Sequence, residues 1–318
     1  MVQMGFGTDL RARCRARLML RRDCAAVADY LIRHRLGFGS DPAGLQARLE
    51  GLLAARRLRG GLVEVDGGRG GWRLAALGLS SFIEDTTLDA VLQSQDAAFG
   101  ADLLRGPETR LLDDRAQARL GATGLNLAIL TFHFDGEGLA PNLVDLVLAR
   151  ALDHFVAAHR GYAIKSMLRA DPEEFLPLIL QTGLRVLGPC RPVAGLPAMH
   201  FVGFQPEDRA KARPGGVAQM FLHFGPPVMQ CTVAECRVLD LATAGLSDPE
   251  IAAELGISAN TVKALWRSVL ARGSRALDLT GGRPEPDPVR PVRGAELRSH
   301  ILLHLRDNPQ DMRPFRLR

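Results

Sequence analysis

The sequence predicts an α/β (α+β) domain over residues 1–224 and an all-α domain over residues 228–275. A Pro-rich linker follows over 276–293, and a C-terminal amphipathic helix over 294–318. Three observations carry this fold class. Leu125–Phe134, LNLAILTFHF, has the length and composition of a strand buried on both faces of a sheet. Strand-like and helix-like patterns alternate on either side of it, which is the order of a sheet covered by helices. From Cys231 to Arg272 the chain carries three helix signals joined by two turns short enough to be tightly packed corners.

In chain order, residues 1–10 read as a disordered start. Ala16–Arg22 predicts a short strand, and Asp23 opens a helix to about Arg35; the arginines around it read as a solvated face rather than a nucleic-acid arm. Asp41-Pro42 precedes a second helix over Leu45–Leu58. Alternation over Leu62–Val65, turn chemistry at Asp66-Gly67-Gly68 and an extended pattern over Trp72–Phe82 predict a hairpin. Helical patterns return over Leu88–Ala98 and Arg115–Leu120. Beyond the central strand, Leu143, Val147, Ala151 and Phe155 repeat at helical spacing, so a long helix runs from Asn142 to about His159. Tyr162–Leu168 predicts a strand, Pro172–Gly183 a helix, and Met199–Phe204 a last strand.

This order of elements is similar to the GNAT acetyltransferase fold. The resemblance implies a loop of the form Gln/Arg-x-x-Gly-x-Gly/Ala after the central strand, where backbone N–H groups and a helix N-terminus hold the coenzyme A pyrophosphate. The corresponding stretch, Phe134–Asn142, reads FDGEGLAPN. It has Gly136 and Gly138, but Asp135 and Glu137 would repel a pyrophosphate, and the arginine or glutamine is missing. The N-terminal part is therefore expected to sense a ligand or form a dimer rather than transfer acetyl groups. No catalytic residue, cofactor or metal site is assigned.

The helical stretch opens with Thr232 and Glu235 at capping-box spacing, followed by Val238, Leu239, Leu241 and Ala242 on one face. Gly245 stops this helix. Ser247 starts the second, with Asp248, Pro249 and Glu250 in its first turn and Ile251, Ala252 and Leu255 inward. Gly256 turns the chain, and Ser258 caps a third helix carrying Val262, Leu265, Trp266 and Val269. The pattern closely resembles the LuxR-type DNA-binding domain. That resemblance implies a third helix lying in the major groove. Its exposed face would be Asn260, Lys263, Ala264, Arg267 and Ser268, with Ser258 and Thr261 placed for phosphate contact; Glu235 reads as structural. The charge is local to this helix, because over Val228–Arg275 five basic residues face five acidic ones.

In place of the short fourth helix usual in that family, Gly281–Gly294 carries Pro284, Pro286, Pro288 and Pro291, a semi-rigid extended linker. The final helix, Ala295–Arg306, is too short to stand alone. It should dock through Leu297, Ile301, Leu302 and Leu305 on the N-terminal domain, on Trp266 or on a second subunit.

Histidines take the ordinary readings. His154 and His159 mark a solvated helix end, His300 and His304 with Glu296 an amphipathic helix rather than a zinc site, and His133 a satisfied core residue rather than a pocket wall. A net charge of +5 and a pI near 9.2 agree only weakly with a polyanion partner. Five cysteines without paired spacing point to a reducing cytoplasm, and no apolar run approaches the length of a membrane span. The resulting expectation is a cytoplasmic transcriptional regulator that binds double-stranded DNA as a homodimer, the presence and identity of a small-molecule effector being left open. The alternative is a GNAT-like acetyltransferase fused to a DNA-binding module.

Overall fold

The computed structural model describes residues 13–67, 71–192, 197–211, 217, 219–222, 224–277 and 294–316. The expected disordered start, Gly68 of the expected turn, and residues 278–293 of the Pro-rich linker lie outside the described residues. The chain divides into two compact units. The first comprises Met1–Asp113, Leu125–His159 and Ile164–Leu222, the second Asp114–Gly124, Arg160–Ala163 and His223–Arg318.

The apolar run becomes the middle strand of a seven-stranded sheet. Its strands are β1 (Cys14–Leu18), β2 (Arg59–Asp66), β3 (Trp72–Ile83), β4 (Leu125–Phe134), β5 (Ile164–Pro172), β6 (Arg185–Pro189) and β7 (Met199–Phe204), in the order β1-β2-β3-β4-β5-β7-β6. Neighbours are antiparallel except β4 and β5, which run parallel. A parallel pair needs a long crossover. Here it contains the helix Pro141–His159, whose Leu143 and Val147 pack on Val63, Val65 and Ala76. The helices α1 (Cys24–Arg33) and α2 (Pro42–Ala54) cover the opposite face, where Val27, Leu31, Leu49 and Leu52 meet Leu77, Leu79 and Leu130. Covered on both sides, the first six residues of β4 are buried.

Element boundaries differ from expectation where a local contact decides them. β1 ends at Leu18 rather than Arg22, because Asp23 accepts the Leu20 N–H at 2.8 Å and folds Arg21–Asp23 into a 3-10 turn. α2 begins at Pro42, where Asp41 caps the Gly44 N–H, and ends before Arg56, whose φ of 57° no longer fits a helix. The helix expected over Leu88–Ala98 is α3 (Asp85–Ser94), which stops at the left-handed Gln95, and a further helix, α4 (Phe99–Arg105), follows beyond the expected span. The next helices are α5 (Asp114–Leu120), in the second unit, and α6, the crossover helix Pro141–His159. Of Pro172–Gly183 only α7 (Leu176–Leu180) is fully helical, and β6, absent from the sequence reading, follows at the sheet edge. After β7 comes the single helical turn α8 (Gln219–Leu222).

His159 is buried rather than a solvated helix end. Its Nδ1 donates to the Phe155 carbonyl and its Nε2 accepts the Ser80 hydroxyl, both at 2.8 Å. His133 accepts the Tyr30 hydroxyl at Nδ1, 2.8 Å away, and its ring lies tilted at 40° against His34, the centroids 4.5 Å apart. Burial holds the His133 pKa below that of a free imidazole, with His34 adding to the shift. The loop after β4 is closed by its own carboxylate. Asp135 accepts the Glu137 N–H at 3.1 Å, and Arg73 bonds both Asp135 and the Glu137 carbonyl.

Candidate nucleic-acid interface

In the second unit, three helices follow the capping signals of the sequence. α9 (Val233–Thr243) is capped by Thr232, which accepts the Glu235 N–H while the Glu235 carboxylate accepts the Thr232 N–H at 2.6 Å. α10 (Asp248–Leu255) begins where Glu250 accepts both the N–H and the hydroxyl of Ser247, and it ends at Gly256 with φ of 64°, a conformation that glycine adopts without strain. α11 (Ala259–Ala276) is capped by Ser258, which accepts the Thr261 N–H at 3.0 Å. Val238, Leu239 and Leu241 of α9, Ile251 and Ala252 of α10, and Val262, Trp266 and Val269 of α11 are all buried. The inward faces of three amphipathic helices thus make one small core.

The opposite face of α11 carries the residues expected to meet DNA. Ser258, Asn260, Thr261, Lys263, Ala264, Arg267 and Ser268 are all exposed. Three of them also serve the fold. The Ser258 hydroxyl lies 2.9 Å from that of Thr261, and the Ser268 hydroxyl is hydrogen-bonded to Glu235. Lys263 and Arg267 form no ion pair among the described residues. Between Ile257 and Ala276 the sequence has no acidic residue, so this face presents positive charge without internal compensation.

Glu235 lies beneath, 1% exposed. Burial pushes its pKa up, but hydrogen bonds from Ser268 and Thr232 and the charge of Arg272 outweigh this and hold it below the ordinary carboxylate value. Arg272 Nε is 3.5 Å from the same carboxylate. One buried charge therefore ties the start of α9 to the exposed helix.

α12 (Gly294–Asp307) packs on α11, burying Ile301 and Leu305 completely. Of the docking places expected for this helix, Trp266 is occupied: the Arg298 guanidinium sits 4.0 Å from the ring centroid and donates to Asp248 at 2.9 Å. Gly273 permits the close approach, since a Cβ there would lie 2.7 Å from Ile301 Cδ1. The remaining tail is pinned by buried polar contacts. Asp311 accepts from the Met229 N–H and pairs with His304, while Arg313 bonds Asp240 at 2.6 Å and the Arg160 carbonyl at 2.9 Å. Arg237 pairs with the buried Asp114 of α5 at 2.8 Å. The amphipathic motif predicts α12 and leaves Trp266 as one of three docking places, whereas the tail contacts have no local signal.

No helix among the described residues is long and apolar enough to cross a membrane. A comparison with curated proteins finds no match. Among solved structures, the chain is similar to FeeM, an N-acyl amino acid synthase from uncultured soil microbes, at 13% identity and TM-score 0.36, over 62% of this chain and 94% of that one. It is similar to AAC(6')-Ib, solved in complex with Parmomycin and AcetylCoA, at 12% identity and TM-score 0.34, over 64% of this chain and 99% of that one. A histone acetyltransferase HPA2-related protein from Corynebacterium glutamicum gives 12% identity and TM-score 0.36, over 61% and 97%. The family described as bacterial regulatory proteins, luxR family, matches residues 230–272. Those residues are a LuxR-type helix-turn-helix domain.

Proposed function

We propose that this protein is a sequence-specific DNA-binding transcriptional regulator, in which residues 228–275 bind the duplex and the first unit senses a ligand or holds two copies together. The observation that carries the reading is the exposed face of α11, where Lys263 and Arg267 stand beside Asn260, Ala264 and Ser268 on the helix that the LuxR family places in the major groove. Lys263 and Arg267 supply charge and hydrogen-bond donors for base edges and phosphates, and Ser258 and Thr261 sit at the helix start, where backbone N–H groups attract phosphate. One such helix reaches a single half-site, so tight binding calls for a homodimer on half-sites about one helical turn apart. Cytoplasmic residence accords with this role.

The closed loop after β4 argues for a non-catalytic first unit. The Asp135 carboxylate already occupies the Glu137 N–H and the Arg73 guanidinium, donors that an incoming pyrophosphate would need. Acetyl-CoA should accordingly give no mass-action thermal stabilisation.

The test is binding of the full-length protein to fragments from upstream of its own gene, beside a scrambled control, at two salt concentrations. Selective binding that weakens with salt is expected. Arg267→Ala should cost about 1–3 kcal/mol on the selected fragment and less on the control, as for a side chain that reads a base. Absence of any salt-dependent binding would sink the reading.

A further inference from the structure

The flank of α11 that bears Lys263 and Arg267 is one wall of a groove of about 510 Å³. Trp266 and Leu270 supply its apolar lining, and Asp248 of α10 and Arg298 of α12 line it as well. Three positive side chains and one carboxylate therefore line the same groove. Arg298 is fixed rather than free to sweep solvent: its plane is held at the Trp266 ring, Nη2 is committed to Asp248, and the side chain remains 32% exposed. Its Nε and Nη1 make no hydrogen bond among the described residues. A guanidinium oriented in this way keeps donors for a phosphate oxygen and loses little further entropy in meeting one.

We propose that Arg298 contacts a DNA phosphate, so that the C-terminal helix extends the interface beyond the helix-turn-helix. The proposal rests on the DNA-binding reading above. The occupant is the sugar-phosphate strand bordering the major groove that receives α11, and charge complementarity selects it. Asp248, in the first turn of α10, would repel that strand; Arg298 cancels its charge and presents its remaining donors in the same groove as Lys263 and Arg267. Such a contact adds to affinity independently of sequence and is registered in the dependence on salt.

The experiment is fluorescence anisotropy of the full-length protein on a short mixed-sequence duplex over a salt series, with thermal unfolding of each variant recorded alongside. Arg298→Gln keeps a donor for Asp248 and a side chain over Trp266 but loses the charge. It should lower the magnitude of the slope of log affinity against log salt by about 0.9, the value of one phosphate contact on duplex DNA. Arg298→Lys should retain the slope. The Asp248→Asn background separates contact from screening. A loss that persists there supports the contact, and a loss that vanishes there overturns it, since Arg298 would then only neutralise Asp248. A wild-type slope in Arg298→Gln also overturns the proposal while leaving the regulator reading intact, whereas a wild-type protein that binds no duplex at low salt removes both.

Discussion

Glu235 illustrates what a single buried charge does in the second unit. Its carboxylate is held ionised by Thr232, Ser268 and Arg272 against the pull of burial. A folded pKa below the unfolded value stabilises the fold above the unfolded pKa, and that contribution is lost as pH falls below the ordinary value of 4.5 towards the folded one. Urea unfolding of the second unit's transition across that window should therefore show a steeper loss for the wild type than for Glu235→Gln. At neutral pH the variant should be the weaker by about 1–3 kcal/mol, the cost of disturbing a buried hydrogen-bonded charge. Equal pH profiles would refute this role. At this scale the sequence is informative where the partner is near in the chain. The structural role of Glu235 follows from its spacing to Thr232, and all the expected DNA-facing side chains proved to be exposed. The roles of His159 and Arg313 could not be read, because Ser80 and Asp240 lie far away in sequence and nothing local signals such pairings.

Among the elements, α9, α10 and α11 keep the starts and stops expected of them, because Thr232, Ser247, Ser258 and Gly256 set those ends through contacts within a few residues. The elements that differ answer to other influences. Gln95 takes a left-handed conformation with no glycine to announce it, so the helix expected to reach Ala98 stops as α3 at Ser94. β6 is short and half-exposed, which leaves no apolar run to find. The packing of α12 on α11 depends on the absence of a side chain at Gly273, where a Cβ would also meet Met229 Cε at 3.2 Å. Gly273→Val should overfill this contact and destabilise the second unit by about 1–3 kcal/mol despite valine's better helix propensity. Differential scanning calorimetry would detect the lowered transition. A rise in melting temperature would mean that Ile301 and Met229 yield without cost.

For the molecule as a whole, the order of sheet, helix-turn-helix and terminal helix was legible, because periodicity and caps repeat along the chain. Which segments cluster into the second unit was not, since α5 and Arg160–Ala163 are separated from it in sequence by strands of the first. A chain ending before Gly294 would lose the complete burial of Ile301 and Leu305 together with the Asp311 and Arg313 contacts. The two apolar side chains alone account for about 3 kcal/mol or more. This truncation should lower the urea midpoint of the second unit, and an unchanged midpoint would show that α12 merely rests on α11.

The buried Arg313 has a practical consequence for anyone building chimaeras. It bonds the Arg160 carbonyl and lies 4.9 Å from the Tyr162 ring, both contributed by the connection between α6 and β5. A graft that transplants only residues 225–318 as a cassette would keep the Asp240 partner of this guanidinium but leave Arg160 and Tyr162 behind in the donor. Specificity swaps confined to the outward side chains of α11 would leave that anchorage whole.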